Sequence, residues 1–351
     1  MFYRFGIAPT NVLNPDDTDG DGITNTYEMN FRLDPNWINS VTDLAIVEVD
    51  SRISSKTAST SLRMYNNYTT NGGSLIFDRN PDCWINNVVN KSCISPWNNS
   101  GGSQKADTLI TPKHVIFCAH NDFFVPANNK IYFVTDSGVV VERTILRTKR
   151  HANYGSPSAY DNDIVIGVLD ADVPSTIKSV KFFPNNWIEY MEPNVRTPSL
   201  RLNQDEEALV GDLNPATMAQ TRARHVKPTE PDRLNFYFSL ANPAQSLLWN
   251  GLFPGDSGNG GFAVINSQLI LTNVWTYGGP GSGTSVTNQK ATINSMIAAL
   301  DTEVGNVTGH TIQELDLSQY MKLADIPPEF RLISSPPPIT IDDSDYPFLA
   351  E

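Results

Sequence analysis

The sequence predicts an all-β fold rich in turns. Three observations lead there: 24 prolines and 22 glycines in 351 residues, a succession of short apolar runs between turn residues, and only one sustained helical pattern. With 40% hydrophobic and 18% charged residues, the composition is that of a globular chain with a sizeable core rather than a disordered one.

The elements follow in chain order. Residues 1–40 are polar and rich in Asp. Residues 41–105 form a loop-rich lead-in whose one regular run, 44–49 (Leu-Ala-Ile-Val-Glu-Val), reads as a strand. Residues 106–302 carry most of the strand signals. An apolar segment ends at His120. Runs 131–135 and 139–146 flank Asp136, Ser137 and Gly138, a hairpin turn by composition. Runs 164–169, 235–240 and 268–275 read as further strands. Ile293, Met296, Ile297 and Leu300 recur at helical spacing, which predicts a helix over 288–301. Residues 303–351 read as an extended, Pro-rich acidic tail, since the prolines at 336–338 deny both helix and sheet their hydrogen bonds.

The net charge of −13, with no basic stripe, excludes nucleic acid as a partner. No stretch reaches the ~20 apolar residues that span a bilayer, so no transmembrane segment is expected. The first ten residues hold no apolar core of the signal-peptide kind. Three cysteines are too few for a disulfide scaffold. Cys83 and Cys93 are close enough in sequence to close a short loop. Cys118, inside an apolar run, reads as a buried free thiol.

Three short patterns carry chemistry. Gly255-Asp256-Ser257-Gly258-Asn259-Gly260-Gly261 is a glycine-rich turn that can expose a hydroxyl and point backbone N–H groups at a developing oxyanion. The apolar run through Ala119 delivers His120 at its end, where an imidazole can act as a general base. Asp163 stands directly before the Ile-Val run, and a desolvated carboxylate there can hold the imidazole in its useful tautomer. Asp161, two residues earlier, is the alternative acid.

Together these patterns resemble the chymotrypsin-like serine peptidases: Ala-His ending a strand, Asp before an Ile-rich strand, and Gly-Asp-Ser-Gly, in the order His, Asp, Ser. The resemblance covers roughly residues 100–302. It implies two six-stranded antiparallel β-barrels with a cleft between them, a triad of His120, Asp163 and Ser257, and an oxyanion hole from the N–H groups of Gly255 and Ser257. The sequence departs from the family in two ways. Asn121, not cysteine, follows the histidine, and no activation site precedes the domain, so Asp256 is expected to meet an internal Arg or Lys. Gly251 occupies the position where trypsin-like members carry the Asp that selects Arg and Lys, so a basic primary preference is disfavoured. By the same likeness Thr276, Tyr277 and Gly278 align the substrate and wall the pocket. Trp275 and Tyr277 read equally well as core aromatics.

A second pattern precedes these. Asp17, Asp19, Asp21, Ile23, Asn25 and Glu28 match the calcium-loop positions 1, 3, 5, 7, 9 and 12, with Ile23 offering its carbonyl and Gly22 the sharp turn. The segment resembles dockerin and thrombospondin type 3 repeats, which implies structural Ca²⁺ and a secreted or extracellular location. A helix is expected to leave the loop over 27–33. His114, His151, His225 and His310 lack ligand spacing, so no zinc site is expected.

These readings converge on a monomeric, secreted serine endopeptidase acting on protein or peptide substrates, with calcium as a structural ion and no cofactor in catalysis. The competing readings are a catalytically inactive binding module on the same fold and a calcium-dependent anchoring part.

Overall fold

The computed structural model describes residues 16–31, 36, 38–69, 75–96, 98–99, 104–121, 130–157, 161–193, 195–220, 222–226, 243–277 and 282–327. Two antiparallel-rich sheets dominate. The first comprises β1 (Thr108–Thr111), β2 (His114–Phe117), β3 (Lys130–Val134), β4 (Val140–Arg150) and β5 (Val165–Leu169), in the order β1-β2-β5-β4-β3. Residues of β1, β2 and β5 are buried along their whole length, as expected of near-continuous apolar runs. The predicted hairpin joins β3 to β4, and Gly138 takes φ +83° in its turn.

The second sheet has eight strands: β6 (Lys181–Phe182), β7 (Thr197–Leu202), β8 (Ala208–Leu213), β9 (Arg222–Val226), β10 (Gly260–Ile265), β11 (Gln268–Tyr277), β12 (Ser282–Ser285) and β13 (Gln313–Glu314). Six of them pair antiparallel around a ring, β10-β7-β8-β9-β12-β11 and back to β10. A sheet closed in this way leaves no free edge along the ring. Strands β6 and β13 extend it in parallel beyond β11. Among the described residues these two larger sheets hold five and eight strands, and two two-stranded ribbons stand beside them, Tyr65–Thr69 with Ile76–Arg79 and Asn98–Asn99 with Gln104–Lys105.

The three longest helices among the described residues are α1 (Asn25–Phe31), α2 (Val41–Ile53) and α3 (Lys290–Glu303). Helix α3 answers to the predicted spacing, burying Ile293, Met296, Ile297 and Leu300 against β4 and β5. Helix α1 fits the expected exit from the acidic loop. Helix α2 corrects the strand expected at 44–49. Ser40 and Asp43 form a reciprocal capping box, with Ser40 N–H donating to Asp43 Oδ2 at 2.8 Å and Asp43 N–H to Ser40 Oγ at 3.2 Å. The buried positions Val41, Leu44, Ala45, Val49 and Ile53 share one helical stripe, which a six-residue window is too short to reveal.

The lead-in and part of the tail belong to the same body. Trp84 Nε1 donates to the Ala208 carbonyl at 2.7 Å, and the Asn90 carboxamide brackets the Leu269 backbone at 2.9 and 2.7 Å. Contrary to the expected extended tail, Ile312, Leu315, Leu317, Tyr320, Leu323 and Ile326 are buried. Alternating apolar positions dock that segment beside β6, where Leu315 N–H donates to the Phe182 carbonyl. The prolines at 336–338 and the strand expected at 235–240 lie outside the described residues. Cys83, Cys93 and Cys118 are all buried and none is in a disulfide, so Cys83 and Cys93 do not close a loop. Among the described residues no helix is long and apolar enough to cross a membrane.

Candidate active site

The apolar strand β2 runs into a short turn, Ala119–Asn121, that carries His120 beyond the end of the sheet. Asp163 sits two residues before β5, the neighbour of β2, so strand pairing alone brings the two side chains together. The contact is two-pronged. His120 Nδ1 lies 2.5 Å from Asp163 Oδ2, and the His120 backbone N–H donates to Oδ1 at 2.8 Å. Because an ionised carboxylate only accepts, Nδ1 carries the proton and Nε2 of the neutral ring keeps its lone pair. Asp163 is fully buried while the His120 side chain is 20% exposed. Asp161 is buried nearby but does not take this place.

The second sheet holds the acid from behind. Asp163 N–H donates to Thr284 Oγ1 on β12 at 3.1 Å. Thr284 pairs with Val274 on β11, and Trp275, next in that strand, takes the Gly258 N–H on its carbonyl at 3.0 Å. The turn bearing Ser257 is thereby tied to the strand beside the acid. Gly255 and Gly258 adopt φ +107° and +100°, and a Cβ on Gly258 would meet the Ala106 carbonyl oxygen at 2.9 Å, so the turn requires glycine there. The same Cβ position lies 3.7 Å from Cys118 Sγ, which is 4.0 Å from His120 Nε2. The turn bearing Ser257 and the imidazole thus share Cys118 as a common neighbour.

The Ser257 hydroxyl points elsewhere: it donates to the Thr276 carbonyl at 3.3 Å rather than to the imidazole. Thr276 is the extra residue of a bulge between the pairs Trp275 with Gly283 and Tyr277 with Ser282, which turns that carbonyl out of the ladder. The N–H groups of Gly255 and Ser257 donate to no acceptor among the described residues, whereas the intervening Asp256 N–H is spent on the Phe253 carbonyl at 3.0 Å.

Asp256 itself corrects an expectation. Its carboxylate meets no Arg or Lys among the described residues. It accepts the backbone N–H of Gln204 at 2.8 Å and of Phe253 at 2.6 Å. Burial pushes its carboxyl up, and the two backbone N–H groups oppose this. Neither Thr284 nor Gln204 is legible in the sequence, since each acts across the fold and neither sits in a local motif. Among the pocket residues, Gly251 is half-buried with open space beside its Cα, and Thr276 is buried. Trp275 belongs to the core. The backbone of Tyr277 ends β11, while Gly278 and the Tyr277 side chain lie outside the described residues.

The acidic loop folds as an asparagine-and-aspartate turn closed by α1. Carboxylate oxygens of Asp17, Asp19 and Asp21 lie within 4.8 Å of one another, and all three residues are buried. Asp17 receives the N–H groups of Gly20 and Gly22, Asp21 those of Ile23 and Asn39. Asp19 Oδ2 is buried with no hydrogen-bond partner among the described residues. Burial and the neighbouring carboxylates push Asp19 up to about 8, and burial pushes Asp21 up to about 7. Asn25 Oδ1 takes the Thr18 N–H and Glu28 Oε1 the Asn39 amide, so these two predicted ligands stand outside the three-carboxylate cluster. Gly22 has φ +92° and packs directly on the Gln319 backbone.

Compared with known proteins, the chain matches no family model and no curated protein.

Proposed function

We propose that this protein is a serine endopeptidase. The observation that carries the reading is the two-pronged grip of buried Asp163 on His120, with Cys118 Sγ close both to His120 Nε2 and to Gly258 of the Ser257 turn. In the proposed reaction Ser257 swings its hydroxyl from the Thr276 carbonyl to His120 Nε2. The imidazole takes the proton as Oγ attacks the substrate carbonyl carbon. The oxyanion that forms accepts hydrogen bonds from the unspent N–H groups of Gly255 and Ser257, each such donor being worth about 3 kcal/mol in the transition state. The imidazolium then protonates the departing amine, and water, deprotonated by the same ring, hydrolyses the acyl-enzyme. The two-barrel architecture of the resemblance is part of this proposal; the six-membered strand ring supports it for the second lobe. Gly251, lacking a carboxylate, favours a non-basic residue at the cleaved bond.

A fluorophosphonate probe tests the reading. Labelling of the native protein, abolished in Ser257→Ala and accompanied by loss of peptide cleavage, is the expected result. Unlabelled native protein that cleaves no peptide would leave the inactive-module reading in its place.

A second reading concerns calcium, favoured by the buried, unpartnered Asp19 Oδ2 beside two further carboxylates. Asp17, Asp19, Asp21, the Ile23 carbonyl, Asn25 and Glu28 would hold the ion, Asn25 and Glu28 after turning from Thr18 and Asn39. Bound Ca²⁺ would supply the positive charge that this buried acidic cluster lacks. Such a site suits secretion, where millimolar calcium saturates even weak loops. Calorimetric titration should give one site per chain in wild type and none in Asp19→Asn; identical traces for both proteins would remove the ion from the scheme.

A further inference from the structure

A polar cleft of about 400 Å³ opens beside the proposed active site, lined by Arg63, Tyr65, Asn67, Tyr68, Asp205 and Glu207 among others. Its acidic wall is joined directly to the nucleophile turn. Gln204, which precedes Asp205, donates its backbone N–H to Asp256, and a Cβ on Gly255 would lie 2.9 Å from the Gln204 side-chain oxygen. One residue therefore separates the cleft from the backbone proposed to hold the oxyanion.

The acidic wall is built, not loose. Asn203 Oδ1 accepts the N–H groups of Asp205 and Glu207 at 3.1 and 3.0 Å, and Asn203 Nδ2 donates to Glu207 Oε2 at 2.9 Å. Glu206, buried with φ +58°, takes the Met64 N–H on its carbonyl and so ties this loop to the opposite wall. That wall is aromatic. The Tyr68 ring, 41% exposed, stacks on Phe77 with planes 10° apart. Tyr65 packs edge-on against Phe77 under the Arg79 guanidinium, and its buried hydroxyl has no hydrogen-bond partner among the described residues.

The field in the cleft is negative. Burial raises the Tyr68 phenol, and Glu206, Asp205 and Glu207 raise it further, with Arg63 alone opposing on this side. Asp205 and Glu207 likewise add to the upward push on Asp256. An anion would be repelled here, and the polar lining offers little to an apolar group. A flexible cation fits: the aromatic face covers its alkyl stem and the carboxylates meet its head.

We propose that this cleft is a substrate subsite for a lysine or arginine side chain flanking, but not at, the cleaved bond. The proposal rests on the serine-peptidase reading and deepens it: a non-basic residue is selected at Gly251 and a basic one at Asp205 and Glu207.

The test uses the full chain and a matched peptide series in which lysine or its uncharged isostere norleucine is walked through each position around one cleavable bond. The expected result is one flanking position where wild type prefers lysine by about fivefold or more in kcat/KM, as two partly exposed ion pairs allow. That ratio should fall below about twofold in the Asp205→Asn, Glu207→Gln double variant and in wild type at high salt. Tyr68→Ala should lower it as well. Because the readout is a ratio of two peptides on one preparation, partial misfolding of a variant does not move it. Ser257-dependent cleavage with no lysine preference at any position, or a preference unchanged by the double variant, overturns the subsite and leaves the peptidase standing. No cleavage of any peptide removes both.

Discussion

The Asp163 carboxylate spends both oxygens on one residue, Oδ2 on the His120 ring and Oδ1 on its backbone. Removing the charge while keeping the shape should therefore free the imidazole to turn and take the wrong tautomer. We expect Asp163→Asn to lower kcat/KM by roughly 10⁴-fold, with an unchanged circular dichroism spectrum. Gly22 makes a second residue-scale case. A Cβ there would lie 1.7 Å from the Gln319 carbonyl oxygen, and the backbone is already left-handed. Gly22→Ala should cost roughly 2–3 kcal/mol in denaturant unfolding, and should do so with or without chelator, because the clash is with the chain rather than with an ion. The catalytic candidates are readable from the sequence because each sits in a short motif whose chemistry is local. The partners that hold them, Thr284 and Gln204, come from distant strands and loops and leave no local trace.

Helix α2 shows how an element escapes a short window. Over 44–49 its residues are apolar and β-branched enough to suit a strand. Only the full 13 residues, with Ser40 and Asp43 at the start and the Glu48 to Arg52 pair at 2.9 Å near the end, bring out the helical period. The cap should be measurable: Ser40→Ala is expected to lower stability by about 1 kcal/mol, seen as a fall of about 2–3 °C in Tm. By contrast, α3 is legible because Ile293, Met296, Ile297 and Leu300 repeat over enough turns to exclude a strand. Residues 312–326 escape detection for the opposite reason, having too few apolar positions in any one stretch to announce an element.

Across the whole molecule, His114 and Asp301 join the first sheet to α3. His114 Nε2 lies 3.2 Å from Asp301 Oδ1, a close contact out of line for a hydrogen bond, while Nδ1 is 2.8 Å from Thr111 Oγ1. Burial pushes His114 down to about 4, with Asp301 opposing and His310 and Lys113 assisting. The folded state thus refuses a proton that the unfolded chain accepts near pH 6.5. Stability is retained above that pH and lost as pH falls from about 6.5 toward 4, by about 3 kcal/mol when the transition is complete. Denaturant unfolding at pH 7 and pH 4 for wild type and His114→Gln isolates this site, since other groups cancel in the comparison. The variant should lose less on acidification by about that amount.

The amino-acid sequence alone established a turn-rich β protein, the identities of His120, Asp163 and Ser257 as candidates, and the acidic loop at 17–28, because these depend on composition, local spacing and side-chain chemistry. Tertiary structure decided the rest. Strand pairing chose Asp163 over Asp161, backbone N–H groups rather than a cation took Asp256, and ring closure assigned six strands of the second sheet to one cycle. These outcomes turn on which distant segments share a hydrogen-bond ladder, and residues far apart along a chain carry no sign of that until the chain has folded.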